Sequence, residues 1–193
     1  MSIKIIGGVA KGFPLATPHS IETRPTSIML RRKLFDWRQS MEGHYFLDVF
    51  AGSGGMGFEA LSRGAEKVCL NDSARGAFLT LKQNKEKLVS SFKFDPANIH
   101  VSSQDALRWL GKDLSFEFPD TSDCIIYLDP PYEKHSVYTD AVQILKDKAY
   151  DGEVWIESDK LKGMKQEDLT GLFHSVTKVV GQGDHFVLVG KVR

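Results

Sequence analysis

Residues 124–128, Cys-Ile-Ile-Tyr-Leu, contain no alternation of apolar and polar side chains. A strand with one wet face alternates, so an unbroken apolar run must be covered on both faces. Parallel sheets flanked by helices meet that condition. The surrounding sequence fits the same architecture. Strand-like segments at 45–50, 67–71, 99–102, 124–128 and 154–156 alternate with helical segments at 55–63, 74–90, around 106–110 and at 136–149. In the last of these helices Val137, Ala141, Ile144, Leu145 and Lys148 share one stripe. Two further strands, 175–180 and 185–192, flank Gly181-Gln182-Gly183 and read as a hairpin. The prediction is an α/β fold with a mostly parallel seven-stranded sheet closed by one antiparallel strand.

The first 25 residues stand apart from this pattern. Short β-like pieces at 3–6 and 13–16 surround Gly7-Gly8 and Lys11-Gly12, which predicts a small N-terminal β-hairpin extension over 1–25 and a main domain over 26–193. A chain of 193 residues suits one domain of this kind. Pro25-Thr26 is a natural helix start, and Leu30, Leu34, Trp37 and Met41 follow at helical spacing. Arg31, Arg32, Lys33 and Arg38 lie on the flanks and opposite face, forming a predicted basic surface. Such a patch matters because Lys+Arg and Asp+Glu are equal at 25 each, so no global field attracts a polyanion. Cys69 and Cys124 sit in apolar runs without metal-ligand spacing and read as buried thiols, with no metal expected. Trp109 and Trp155 fall on apolar faces and read as core. No apolar run reaches membrane-spanning length and no signal-peptide pattern opens the chain, so a soluble, cytoplasmic protein with no membrane partner is expected.

Asp48-Val49-Phe50-Ala51-Gly52-Ser53-Gly54-Gly55-Met56-Gly57 joins the first strand of the main domain to its helix. Glycines there let the backbone approach a ligand and expose amides at a helix N-terminus. Gly52, Gly54 and Gly57 fit the dinucleotide pattern, which alone is weak. Asp48 changes the reading: a carboxylate at the strand end disfavours a pyrophosphate and suits an ammonium group. Asp72, at the end of the second strand and 20 residues beyond Gly52, is placed to chelate ribose hydroxyls. An ammonium-bearing nucleoside fits this pair better than a dinucleotide. The alternative is a tight strand-to-helix turn with no ligand.

Asp129-Pro130-Pro131-Tyr132 ends the fourth strand, at the sheet edge where open α/β sheets bind ligands. Two prolines stiffen the turn. A stiff turn can aim the Asp129 carboxylate and the Pro130 carbonyl at one point, two acceptors for an NH2 group with two donors. Tyr132 offers a face on which a base can stack. The plain alternative is an ordinary Pro-Pro loop exit, which loses weight once a glycine loop of the preceding kind is present.

These residues together resemble the bacterial family of small-subunit (16S) ribosomal RNA guanine-N2 methyltransferases. The resemblance covers almost the whole chain. It runs through Ile5-Ile6-Gly7-Gly8, Lys11-Gly12, Thr23-Arg24-Pro25-Thr26-Ser27, Arg32-Lys33-Leu34-Phe35 and the glycine loop from Leu47. It continues in Glu59-Ala60-Leu61-Ser62-Arg63-Gly64-Ala65, Gln104-Asp105-Ala106 and Leu128-Asp129-Pro130-Pro131-Tyr132. One departure is the second strand's end, Leu70-Asn71-Asp72, where the family has a glutamate followed by a second acid and Ala74 takes the latter place.

The resemblance implies a Rossmann-like class I fold and the cofactor S-adenosyl-L-methionine. It places the cofactor against Asp48, Phe50, Ala51, Gly52, Ser53, Gly54 and Gly57, with Asp72 on the ribose. Gln104, Asp105 and Ala106 would meet the adenine, Asp105 accepting from its amino group, although Asp105 also suits the N-cap of the next helix. Asp129, Pro130, Pro131 and Tyr132 would be catalytic, and Arg24, Arg31, Arg32 and Arg38 would touch RNA. Residues 24–26 either fold over the cofactor or simply start a helix. Lys134 and His135 follow the catalytic turn, where phosphate is within reach, though His135 suits a solvated loop better. The implied substrate is a guanine in 16S ribosomal RNA or in the assembling small ribosomal subunit, and a monomer is expected. Rival readings are a DNA adenine-N6 methyltransferase, a nicotinamide-dependent oxidoreductase and a non-catalytic RNA-binding assembly factor.

Overall fold

The computed structural model describes residues 2–18, 28–112 and 120–193. Strands β1 (Ser2–Lys4) and β2 (Pro14–Ala16) pair antiparallel as a separate two-stranded sheet. Helix α1 (Ile28–Trp37) leads to β3 (Tyr45–Asp48), α2 (Gly55–Ser62), β4 (Lys67–Asn71), α3 (Arg75–Phe92), β5 (Ile99–Ser102) and α4 (Ala106–Leu110). Then follow β6 (Cys124–Leu128), α5 (His135–Asp147), β7 (Glu153–Asp159), α6 (Gln166–Thr170), β8 (Ser175–Gln182) and β9 (His185–Lys191). The seven strands of the main sheet lie in the order β5-β4-β3-β6-β7-β9-β8. Neighbours from β5 to β7 pair parallel, and β9 runs antiparallel to both β7 and β8.

Successive side chains of a strand point to opposite faces, and here each face has its own core. Phe46, Val68, Leu70, Ile125, Tyr127 and Trp155 pack with Leu30, Leu34, Phe35, Phe58, Leu81 and Leu88 of α1, α2 and α3. Leu47, Cys69, Cys124, Ile126, Leu128, Val154 and Ile156 pack with Trp109, Tyr138, Leu145 and Leu169 of α4, α5 and α6. The all-apolar β6 thus feeds both layers, as its composition predicts. Trp109, Trp155 and both cysteines are buried as read from the sequence. Among the described residues no group of side chains could hold a metal, and no helix is long and apolar enough to cross a membrane.

The amino-terminal hairpin packs into the first of these cores through Ile3, Ile5, Ala10 and Leu15. Its turn is clasped by the end of α2. The Ser62 hydroxyl donates to the Gly7 carbonyl (2.6 Å) and accepts from the Ala10 amide (2.9 Å), while the Ile6 amide donates to Glu59 Oε2 (2.7 Å).

Several sequence expectations need correction. Arg31 does not face outward: it is 1% exposed, and its guanidinium donates to the Lys4 carbonyl at 2.6 Å under the hairpin. Burial lowers its pKa, and the Glu59 carboxylate opposes that shift. A periodic stripe cannot reveal that a second layer covers the helix's polar flank. Arg38 is half-buried and donates to Glu153 Oε1 at 2.6 Å. Met41 is buried but lies beyond α1, and Trp37 is partly exposed. β7 continues three residues past 156, because Glu157, Ser158 and Asp159 are polar yet buried. The five-residue α6 is an element the sequence does not announce, having too few turns to show a period. The expected helix start at Pro25-Thr26 and the candidate Arg24 lie outside the described residues.

Candidate active site

In a parallel sheet all strand C-termini share one edge. Here the strand order reverses at β3, which lies between β4 and β6, with Asp48 level with Leu70 on one side and Tyr127 on the other. Connections leave in opposite directions at such a point and open a crevice. Asp48 ends β3, and Asp72, Asp105 and Asp129 come from the loops at this edge.

The glycine loop is tied at each step. The Val49 amide donates to the Tyr127 carbonyl (3.1 Å) and the Ala51 amide to the Asn71 carbonyl (2.8 Å), so the loop begins as an extension of the sheet. Phe50 and Ala51 turn it away from the strand direction. Gly52 adopts φ +54, and a side chain there would meet nothing within 4 Å among the described residues. The positive φ suits glycine, and the open space above it leaves room for a ligand. Ser53 is held by its carbonyl, which accepts from Asn84 Nδ2 at 3.0 Å, and Gly54 precedes the first residue of α2. Gly57 serves packing instead. A Cβ there would lie 2.1 Å from Leu70 Cδ2, so glycine lets α2 press against β4.

Asp48 is 1% exposed, and Oδ2 accepts the Gly57 amide at 3.2 Å. Its Oδ1 is buried with no hydrogen-bond partner among the described residues. Burial, opposed by the Gly57 amide and aided by the charges of Asp72 and Glu157, pushes this carboxyl up to about 8. A buried carboxylate oxygen without a donor is costly, and a cationic ligand group at the crevice would relieve that cost. Asp72 accepts from the Gly52 amide through Oδ2 and from the Ala74 amide through Oδ1, both at 2.9 Å. Asp105 is exposed and caps α4 by accepting the Arg108 amide at 2.9 Å, so the N-cap alternative describes its observed contact. Ala106 begins that helix, and Gln104 is bonded by its side chain to Lys112.

Asn71, which sequence reasoning missed, is the residue that ties three loops together. Its Nδ2 donates to the carbonyls of Val49 (3.2 Å) and Gln104 (3.0 Å), and its Oδ1 accepts from Ser102 Oγ (2.7 Å) and the Gln104 amide (3.0 Å). All four bonds that an amide side chain can make in this way are used. An amide ending an otherwise apolar strand was the available signal.

Asp129 retains partial surface exposure, but its carboxyl faces other acids. Burial first, then the charges of Glu157 and Asp48, raise its pKa well above the ordinary carboxylate range, and the Tyr132 hydroxyl pulls it back. Pro130 is buried and Pro131 exposed. The Pro131 carbonyl accepts the Lys134 amide at 2.9 Å and closes the turn. The Tyr132 hydroxyl donates to Glu157 Oε1 at 3.0 Å and meets His185 Nδ1 at 3.1 Å. Sequence reasoning also missed Glu157 and His185. An acid inside a strand buried on both faces was the only sign of the first. His135 opens α5 and its Nε2 contacts the Lys162 carbonyl at 3.2 Å.

The arginines proposed to bind RNA differ in their surroundings, and Arg24 lies outside the described residues. Arg31 is buried, and Arg38 pairs with Glu153 at the opposite end of β7, six residues or about 20 Å from Asp159. Arg32 is exposed.

A parallel sheet reversed beside a glycine loop, ending in an antiparallel hairpin and carrying an Asp-Pro-Pro-Tyr turn, defines the class I methyltransferase fold. Solved structures agree. The protein yhhF of Escherichia coli, a proposed methyltransferase, superposes with a TM-score of 0.77 at 24% identity over 100% of both chains. A 16S rRNA N2 methyltransferase of T. thermophilus, solved with AdoMet and guanosine, superposes with a TM-score of 0.64 at 15% identity over 100% of this chain and 50% of that one. The chain belongs to the family described as Conserved hypothetical protein 95, which matches residues 3–187. Among its relatives, Ribosomal RNA small subunit methyltransferase D of Buchnera aphidicola subsp. Acyrthosiphon pisum is 31% identical over 86% of this chain and 78% of its own.

Proposed function

We propose that the protein transfers a methyl group from S-adenosylmethionine to the exocyclic N2 of a guanine in small-subunit ribosomal RNA. The observation that carries this reading is the pair of acids at the reversal of the sheet. Asp48, at the end of the strand that leads into the glycine loop, holds a buried oxygen without a partner among the described residues, and Asp129 stands in a stiff turn after the neighbouring strand. The first suits the ammonium of the cofactor, the second an amine of the substrate. The name borne by the Buchnera relative supports the RNA class.

S-adenosylmethionine supplies an electrophilic methyl group on a sulfonium. The chain's own residues then have to hold and orient. Asp48 meets the cofactor's ammonium, Asp72 its ribose, and Asp105 the edge of its adenine. Asp129 and the Pro130 carbonyl accept from the two N–H groups of guanine N2 and turn its lone pair towards the methyl. Hydrogen bonds donated by the amine favour the charged form of Asp129 against the burial that raises its pKa, and that charge offsets the positive charge growing on nitrogen, so positioning and electrostatics carry the rate. A base stacked in a duplex cannot reach this edge and has to be flipped or unpaired. Lys134, Lys160 and Lys162 are exposed on the loops beside the turn, and Lys160 Nζ is steadied by the Gly183 carbonyl at 3.0 Å. They replace the α1 arginines as the proposed phosphate contacts.

The test is methylation of unmodified small-subunit ribosomal RNA, free and in particles, with labelled S-adenosylmethionine, followed by nucleoside analysis. N2-methylguanosine is the expected product. N6-methyladenosine, or no transfer to either RNA, contradicts the reading.

A further inference from the structure

Behind the Asp129–Tyr132 turn lies a polar cluster that neither cofactor binding nor amine binding requires. Glu157, on β7, is 1% exposed. One of its oxygens accepts from the Tyr127 hydroxyl and the other from the Tyr132 hydroxyl at 3.0 Å. His185, the first residue of β9, brings Nδ1 to 3.1 Å from that same Tyr132 hydroxyl, with the two rings 5.7 Å apart. Asp159 Oδ2 stands 3.6 Å from His185 Nδ1 on the far side. A hydroxyl has one proton to give. Tyr132 directs that proton into the pair of carboxyls facing it, Glu157 at 3.0 Å and Asp129 beside it, and its oxygen can accept from His185 Nδ1.

A carboxyl group in a core is costly and is tolerated when hydrogen-bonded. Trp155, two residues earlier on the same strand face, is fully buried and apolar, so the position itself does not demand an acid. What Glu157 holds, together with His185, is the outer end of the catalytic turn. Pro130 and Pro131 fix the turn's internal shape, and β6 fixes its start at Asp129. Neither fixes where Tyr132 lies against β7 and β9.

We propose that Glu157 and His185 are positioning residues for methyl transfer, acting through the Tyr132 hydroxyl to hold the Asp129–Tyr132 turn in register with the substrate amine. The inference rests on the methyl-transfer reading. It gives Tyr132 two separate roles, a ring face for the base and a hydroxyl anchored in the protein. The Glu157 charge also faces Asp129 and contributes to raising its pKa.

A double-mutant cycle between Glu157→Gln and Tyr132→Phe tests it, read by single-turnover methyl transfer, KM for RNA, affinity for S-adenosylhomocysteine and melting temperature. Glutamine deletes the charge and one of the two acceptor oxygens, so the Tyr132 hydroxyl loses its charged acceptor even where the buried Tyr127 keeps a bond. Each single variant should transfer methyl on the order of 10-fold to 100-fold more slowly, with S-adenosylhomocysteine affinity unchanged, because a misplacement of about 1 Å is enough for that loss. The double variant should be no slower than the slower single one, since both remove the same contact. Losses that multiply, or a wild-type rate in Tyr132→Phe, overturn the proposal. If Glu157→Gln does not fold, His185→Gln combined with Tyr132→Phe runs the same cycle with the same two outcomes. Absence of methyl transfer by the wild-type protein overturns the methyltransferase reading and the clamp together, whereas an active wild type with multiplying losses overturns the clamp alone.

Discussion

Asp72 accepts the Gly52 amide at 2.9 Å, so the acid that follows β4 holds the glycine loop that follows β3. Its second oxygen accepts the Ala74 amide just ahead of α3. The residue proposed to meet the cofactor ribose therefore also shapes the loop that meets the rest of the cofactor. Asp72→Ala should lower stability by about 1–3 kcal/mol, as two amides lose their acceptor, and should weaken S-adenosylhomocysteine binding. Asp72→Asn keeps one acceptor oxygen and should lose less of both. Denaturant titration and calorimetry of the two variants measure these effects.

Asp48 gives a pH signature. Its carboxyl has an ordinary value of 3.8 and is raised to about 8 in the folded protein. Between those values the folded state holds a proton that the unfolded chain has lost. The free protein should therefore lose stability as pH rises from about 4 to about 8, with a ceiling of about 6 kcal/mol for this group. The elevated pKa of Asp129 acts in the same direction. Asp48→Asn should melt higher than wild type at pH 8 and lose the thermal shift that S-adenosylhomocysteine gives, because the cationic group loses its partner. An unchanged ligand shift in Asp48→Asn would contradict the assigned role.

The basic residues divide into two groups. Arg31→Ala should destabilise by about 3 kcal/mol, as expected for the loss of a buried charge bonded to the Lys4 carbonyl. Lys160→Ala combined with Lys162→Ala should leave stability nearly unchanged, weaken RNA binding and flatten its salt dependence, since fewer counterions are released. Melting curves and RNA affinity at several salt concentrations separate the groups. An RNA affinity unaffected by the lysine pair would move the interface elsewhere.

Much of the fold was legible because each layer obeys a local rule. The apolar run of β6, the glycine loop after β3 and the hairpin around Gly181-Gln182-Gly183 each constrain the chain within a few residues. The same holds for Asp48 and the Asp-Pro-Pro-Tyr turn, whose chemistry is written in adjacent residues. What escaped depends on contacts distant in sequence. Arg31 has the composition of a solvated face and is buried because a hairpin 27 residues earlier covers it. Glu157 and His185 meet Tyr132 from 25 and 53 residues away, on strands whose neighbours are set by the sheet order. Asn71 reads locally as a polar end to an apolar strand, while its partners Val49, Ser102 and Gln104 lie 22 to 33 residues away at the ends of β3 and β5. Periodicity reports which face is apolar and not what lies against it.

The central claim is that Asp129 orients the substrate amine and stabilises its developing charge. Single-turnover methyl transfer to unmodified small-subunit ribosomal RNA, at saturating S-adenosylmethionine, compares wild type with Asp129→Ala and Asp129→Asn. Asp129→Ala should be slower by about 100-fold or more, as is usual when an oriented acceptor is lost. Asp129→Asn keeps an acceptor oxygen without the charge and should lie between the two, with S-adenosylhomocysteine affinity unchanged in all three. Wild-type rates in a folded Asp129→Ala variant would contradict the account and place the chemistry elsewhere.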